Sequence, residues 1–263
     1  MFIPLSLKET KQFRQSTPTL LIPFREQLEQ KRGEQLQKFC NHMKRWHSDW
    51  TIIIIEQSQD NKKFNRGALL NIGTRYAQKL KKDYVIYHDV DLIPLSAITK
   101  YYTAFPEKPI HIGGIYKDKY QGNNFIGQAF SISMIDLKKI NGFPNHFWGW
   151  GGEDDAMLKR IKKHKLEIYK PIETSGYKVL EHTDTRLIPN AKNMTKWEDL
   201  ASDNSNTGLS NIQWKLLDTS EDSNILRLKI EIISCKECVF PEAIFTICEL
   251  ILDFINSKYI LTT

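Results

Sequence analysis

The stretch Asn141-Gly142-Phe143-Pro144-Asn145-His146-Phe147-Trp148-Gly149-Trp150-Gly151-Gly152-Glu153-Asp154-Asp155 decides how the rest of the chain is read. Two indoles, Trp148 and Trp150, stand one glycine apart, and the segment runs through Gly151 and Gly152 into three consecutive carboxylates, Glu153, Asp154 and Asp155. Glycines at 149, 151 and 152 permit positive φ and let another molecule approach the backbone closely. The following Ala156-Met157-Leu158-Lys159-Arg160-Ile161 predicts a helix with the acids in its first turn, where they complement the helix dipole. A capped helix behind an aromatic loop would account for that much. The aromatics add a second reading: flat apolar faces beside carboxylates suit a sugar, whose C–H faces stack on rings while its hydroxyls bond to carboxylates.

Upstream, the pattern is that of an α/β domain. Pro18 to Arg25 is a short apolar run that delivers Arg25 to a strand's C-terminal edge, where ligands bind in open α/β sheets. Residues 26–46 have helical spacing, and Thr51 to Gln57 is β-branched and apolar enough for a strand covered on both faces. A helix is predicted after Phe64, with Asn65 as its cap and Arg66 at an N-terminus suited to an anion. Asp83 to His88 reads as another buried strand, running into Asp89-Val90-Asp91. In extended backbone Asp89 and Asp91 would project together, with Val90 toward the core. Such a pair suits a hard divalent cation, Mg²⁺ or Mn²⁺, carrying a diphosphate; it can equally end a strand by bonding to the next turn.

Further strands are expected at 110–116, 130–134, 166–169 and 177–182, a short helix at 135–140, and a hairpin from 212–217 and 225–232. Residues 120–127 form a polar loop suited to a binding rim, and His182 with Asp184 at a strand end could complete a metal site. The expected organisation is an N-terminal extension at 1–17, one domain at 18–232, and an apolar, helical appendage at 233–263 able to pack on the domain, a second copy or a membrane surface.

The 263 residues, 41% hydrophobic, suffice for a real core, and 37 basic against 31 acidic residues give a modest +6. No arginine-rich arm or basic-aromatic repeat points to nucleic acid. No stretch of signal-peptide character opens the chain and no window of 18 residues is free of charge, so the expectation is a cytoplasmic or membrane-peripheral protein. Cys40, Cys235, Cys238 and Cys248 are too few and too uneven for a disulfide scaffold, and Cys235 and Cys238 lack a second pair for zinc.

Together, Ile22-Pro23-Phe24-Arg25, Phe64-Asn65-Arg66 with Leu69 to Gly73, Asp89 to Pro94, and Asn141 to Asp155 resemble the β-1,4-galactosyltransferase family, glycosyltransferase family 7, in order and spacing. The resemblance covers roughly residues 18–232. It implies a GT-A-type single domain with a mixed central sheet flanked by helices, a UDP-sugar donor, typically UDP-galactose, a glycan acceptor, Mn²⁺ or else Mg²⁺, and inversion at the anomeric carbon.

Carried over by position, Pro23, Phe24 and Arg25 would hold uridine and diphosphate, Phe64 and Arg66 would close around the nucleotide, and Asp89 and Val90 would lie against the donor. Asp91 and His182 would ligate the metal, and Trp150 would contact both sugars. Phe125, Gly151 and Gly152 would line the acceptor side, Glu153 and Asp155 would orient the acceptor, and Asp154 would be the base. The chain departs from the family at Gln27, where many members have a second arginine, and at Val179, where vertebrate members place a methionine ligand. Asp184 is therefore expected as the third metal ligand. Phe125 stands where many members have a tyrosine that shapes the donor pocket, so UDP-GalNAc, UDP-GlcNAc and UDP-glucose are alternative donors; a non-catalytic glycan-binding module is the alternative from another class.

Overall fold

The computed structural model describes residues 2–115, 126–149, 151–181, 203 and 206–233. Its centre is a sheet of six strands in the order β6-β4-β2-β3-β10-β9, where β2 is Thr19–Phe24, β3 Thr51–Gln57, β4 Tyr84–His88, β6 Ala129–Ser133, β9 Trp214–Asp222 and β10 Ile225–Ile232. β4, β2, β3 and β10 run parallel, and β6 and β9 close the two ends antiparallel.

Period-two alternation assigns the strand residues to two apolar layers. Leu21, Ile53, Ile55, Val85 and Tyr87 face the helices α2 (Arg66–Lys79), α4 (Met134–Ile140) and α5 (Glu153–Lys163). Leu20, Ile22, Ile52, Ile54, Tyr84 and Ile86 face α1 (Arg32–Trp46) and the short α3 (Thr99–Thr103). Burial on both faces explains why these strands are apolar throughout. The mixed sheet with flanking helices is the expected architecture.

Several elements differ from the sequence reading. The strand expected at 110–116 is not formed over its described residues, 110–115: Ile110 makes isolated bridges to Ser131 and Tyr169, and Ile112–Ile115 is a 3₁₀ turn. Its Gly113 lies so close to the backbone of Gly127 that a Cβ would sit 2.8 Å from that carbonyl oxygen. The first helix starts at Arg32 rather than 26, behind a 3₁₀ turn at Leu28–Gln30. The expected strand at 177–182 is shorter, β8 (Tyr177–Val179), paired antiparallel with β5 (Leu92–Pro94).

The N-terminal extension is no free arm. Its β1 (Phe2–Leu5) pairs in parallel with β7 (Ile168–Pro171), and Leu5 is buried in the α1-side core. The hairpin β9–β10 joins the main sheet through β10 against β3. The tail from 234 onward, with Cys235 and Cys238, lies outside the described residues.

One buried cation ties the segment around 141 to that around 207. Arg160 of α5, 1% exposed, pairs with Asp203 through Nε at 2.8 Å and Nη2 at 2.7 Å, and donates to the carbonyls of Asn141, Gly142 and Thr207. Replacing it removes a two-point ionic partner from a buried carboxylate and one donor from each of three carbonyls. We expect Arg160→Ala to cost about 3–5 kcal/mol in urea denaturation; an unchanged midpoint would show that other contacts hold these segments.

Candidate active site

The candidate site lies where the sheet splits. Pairing of β2 with β4 ends at Leu21 and Tyr87, whereas pairing of β2 with β3 continues to Phe24 and Glu56. Pro23, which has no N–H to give, lies beyond the last residue paired with β4. The carboxyl ends of β2 and β4 diverge at the point where the chain, having placed β3 on one side of β2, places β4 on the other, the topological switch at which α/β sheets bind ligands. β2 delivers Arg25 there, and β4 delivers Asp89. The Phe24 side chain points into the α1-side core with the Arg227 guanidinium over its ring, so what it offers the site is backbone; Val90 is likewise buried.

The N-terminus of α2 forms one wall. Asn65 caps it as expected, its Oδ1 accepting from Ala68 N at 2.9 Å, while its Nδ2 donates to Asn145 O at 2.8 Å. Six residues on, Asn71 accepts from Phe143 N and donates to Phe143 O and Asn145 Oδ1. These two buried asparagines fasten the 141–145 segment to the helix. Phe64 lies under the Arg25 guanidinium at 5.7 Å, and its carbonyl accepts from Gly149 N at 2.7 Å, which brings the Trp148 side of the loop against it. Gly149, Gly151 and Gly152 all have φ between 91° and 101°, the left-handed region that the sequence anticipated for this turn. The turn ends in α5 with Glu153, Asp154 and Asp155 in the first turn.

Arg66 stands between the two sets of acids. Its Nε and Nη2 donate to Asp89 Oδ1 at 3.2 and 2.9 Å, its Nη1 donates to Asp154 Oδ1 at 2.9 Å, and Glu153 Oε1 lies 3.7 Å from the same nitrogen. The guanidinium expected to close around a nucleotide is thus engaged by acids from β4 and α5. Burial opposes its charge, but Asp154, Asp89 and Glu153 more than offset this and raise its pKa above the ordinary value. Burial pushes Glu153 up to about 7, with Asp154 adding to the effect and Arg66 opposing it. Asp154 is also raised, by burial first, while Arg66 holds it down. Asp155, in the same first turn, is raised by partial burial, with Lys159 opposing.

Asp89 and Asp91 do not share one counter-charge as extended backbone would have them do. The strand stops at His88, the chain turns so that Leu92 N donates to Asp89 O at 3.4 Å, and Asp91 meets another arginine, Arg32, whose Nη1 is 3.3 Å from its Oδ2. The turn follows from β5, which pairs with β8 rather than prolonging β4. Leu180 N donates to Asp91 O at 2.7 Å, and Gln35 Nε2 donates to Glu181 O at 2.8 Å, so the chain is fastened beside Asp91 immediately before His182.

Asp91, a hard oxygen donor at the edge of the site with a side chain 13% exposed, fits a divalent cation. Among the described residues no three His, Cys, Asp or Glu side chains converge to hold a metal. The other expected ligands, His182 and Asp184, lie outside the described residues, as do Phe125 and Trp150.

The comparisons agree with this geometry. Residues 9–104 match a family profile described as the N-terminal region of glycosyl transferase group 7, and residues 111–183 match the N-terminal domain of galactosyltransferase. The Drosophila melanogaster β-1,4-galactosyltransferase 7 is 34% identical over 217 residues, covering 77% of this chain and 64% of that protein. The human β-1,4-galactosyltransferase 7 is 37% identical over 169 residues, 62% of this chain and 49% of that one. The chain thus spans about half to two thirds of these relatives' length. A crystal structure of a mutant of the Drosophila enzyme, in complex with manganese, UDP-Gal and xylobiose, superposes with a TM-score of 0.70 at 29% identity, covering 83% of this chain and 95% of that one. Two adjoining family profiles, relatives above 30% identity and a shared fold lead to one conclusion: the chain belongs to the β-1,4-galactosyltransferase family.

Proposed function

We propose that this chain transfers galactose from UDP-galactose to a sugar hydroxyl of a glycan with inversion at the anomeric carbon, using a divalent cation, Mn²⁺ in first place, and Asp154 as general base. The observation that carries the proposal is the single Arg66 guanidinium holding both Asp89, from the donor-side strand end, and Asp154, from the acceptor-side helix. One guanidinium thus brings the two acids close together, which supports their working on the same pair of sugars. The related Drosophila enzyme, captured with manganese, UDP-Gal and xylobiose, supports the donor and the metal and makes a xyloside the first acceptor to try.

The chemistry follows from charge and placement. Asp154 Oδ1 accepts from Arg66, which leaves Oδ2 with no hydrogen bond among the described residues and able to take a proton. As the acceptor oxygen bonds to the anomeric carbon, its proton passes to Asp154, and the bond from that carbon to UDP breaks with the electron pair leaving on UDP. Burial makes Asp154 a stronger base than an exposed aspartate, while Arg66 opposes that rise. Glu153, beside it, can accept or donate a hydrogen bond near neutral pH and so orient acceptor hydroxyls. A divalent cation at Asp91, with His182 and Asp184 as the further proposed ligands, would neutralise the charge gathering on the departing diphosphate.

UDP release should require Mn²⁺, stop on chelation, and be fastest with UDP-galactose in a panel of UDP-sugars; release independent of both metal and acceptor would refute the proposal. Asp154→Asn should lower turnover by roughly 10²–10⁴-fold with UDP affinity nearly intact, and equal loss of both would make the residue structural. Because Glu153 and Asp154 titrate as a pair with raised pKa values, kcat/KM should fall as pH drops through an apparent pKa clearly above that of an exposed carboxylate, about 4. An acid limb at that ordinary value would exclude the buried pair as the base.

A further inference from the structure

We propose that Arg32 is a second cationic contact for the donor's diphosphate, an assignment that rests on the transferase reading above. Arg32 is the first residue of α1, and the loop that leads to it begins at Arg25, so the two arginines are the ends of one short connection out of β2. That connection is fixed. Glu26 Oε1 accepts from Gln27 N and Gly33 N, each at 3.0 Å, and a Cβ at Gly33 would lie 2.2 Å from Glu26 Oε2.

The guanidinium is held independently of its acid. Arg32 Nε donates to Gln30 Oε1 at 2.8 Å and Nη1 to Gln35 Oε1 at 3.0 Å, and both glutamines are at most 3% exposed. Gln35 also bonds to Glu181 O, so the clamp that aims Arg32 belongs to the same structure that brings the chain up to His182. By contrast, the contact to Asp91 is single and, at 3.3 Å, longer than the 2.7–2.9 Å usual for charged partners. Arg32 Nη2 has no hydrogen bond among the described residues, and the side chain is 20% exposed.

Charge decides where that guanidinium turns. Arg66 makes three hydrogen bonds to Asp89 and Asp154, Arg25 gives one to Lys62 O, and Gln27 in the loop is neutral. With a divalent cation held by Asp91, Arg32 would have a like charge beside it and would favour an anion within its reach. The donor's diphosphate supplies one. Arg32 holds Asp91 before the cation arrives and stabilises the leaving group afterwards.

The test is calorimetric titration of UDP and of UMP into the full chain with Mn²⁺ present, and of Mn²⁺ alone, for wild type, Arg32→Gln and Arg32→Lys. Arg32→Gln should weaken UDP about tenfold or more, the loss of a hydrogen bond to a charged group, weaken UMP by less than threefold, and leave Mn²⁺ affinity unchanged or tighter. Arg32→Lys, which keeps the charge but not the fork, should fall between; should Arg32→Gln not fold, the deficit of Arg32→Lys for UDP over UMP decides. Unchanged UDP affinity, equal loss of UDP and UMP, or weakened Mn²⁺ binding would overturn the assignment and leave Arg32 a structural partner of Asp91. Absence of Mn²⁺-dependent UDP binding by the wild type would overturn this inference together with the transferase reading, so the two failures are distinguishable.

Discussion

The site depends on one ion cluster, the Arg66 guanidinium between Asp89, Glu153 and Asp154. Three acids and one arginine in a largely buried site carry a net charge of two negatives when all are ionised. Two unit charges about 4 Å apart interact by about 4 kcal/mol at an effective dielectric constant of about 20. Repulsion of that size among the acids would force α5 away from the end of β4 unless a cation stood between them. Arg66 supplies the attraction that lets a strand end and a helix N-terminus, 65 positions apart from Asp89 to Asp154, share one space. Burial, with the remaining repulsion from Asp154 added to it, pushes Glu153 up to about 7.

The arrangement separates two tasks among nearby arginines. Arg66 organises acids, and the loop from Arg25 to Arg32 presents positive charge at the carboxyl end of β2. Asp91, between that loop and the strand end at Val179, is braced by backbone rather than by a second acid. Such bracing matters for a ligand of a cation, because a carboxylate whose backbone is fixed loses little further freedom on binding.

The sheet was legible in the sequence because burial on both faces leaves a continuous apolar run, as in Ile52 to Ile55. The same signal misled at 110–115, where the apolar Ile112–Ile115 with its two glycines forms a 3₁₀ turn; apolarity reports burial, not backbone conformation. β1 escaped notice because Phe2–Leu5 is too short to show a period and its partner lies past residue 167. In the site, the glycine turn and the acids in the first turn of α5 could be read locally, since both follow from backbone preference. The pairing of Arg66 with Asp89 and Asp154, and of Arg32 with Asp91, could not, because ion pairs between distant segments leave no local mark. Polar residues on apolar helix faces did leave one: Asn71 between Leu70 and Ile72, and Arg160 beside Ile161, are the buried groups that fasten the 141–145 segment.

The parallel pairing of β10 with β3 has a consequence for biosynthesis. Ile52 to Ile55 meet their outer neighbours, Ile225 to Leu228, only after more than 160 intervening residues have been made. On the ribosome, an isoleucine-rich edge with unpaired amides and carbonyls therefore stays bare until the last hairpin emerges, the kind of edge that recruits other chains. The C-terminal hairpin acts as a late clasp, and a nascent chain arrested before residue 225 carries the exposed centre of its own sheet as a site for chaperones or for aggregation.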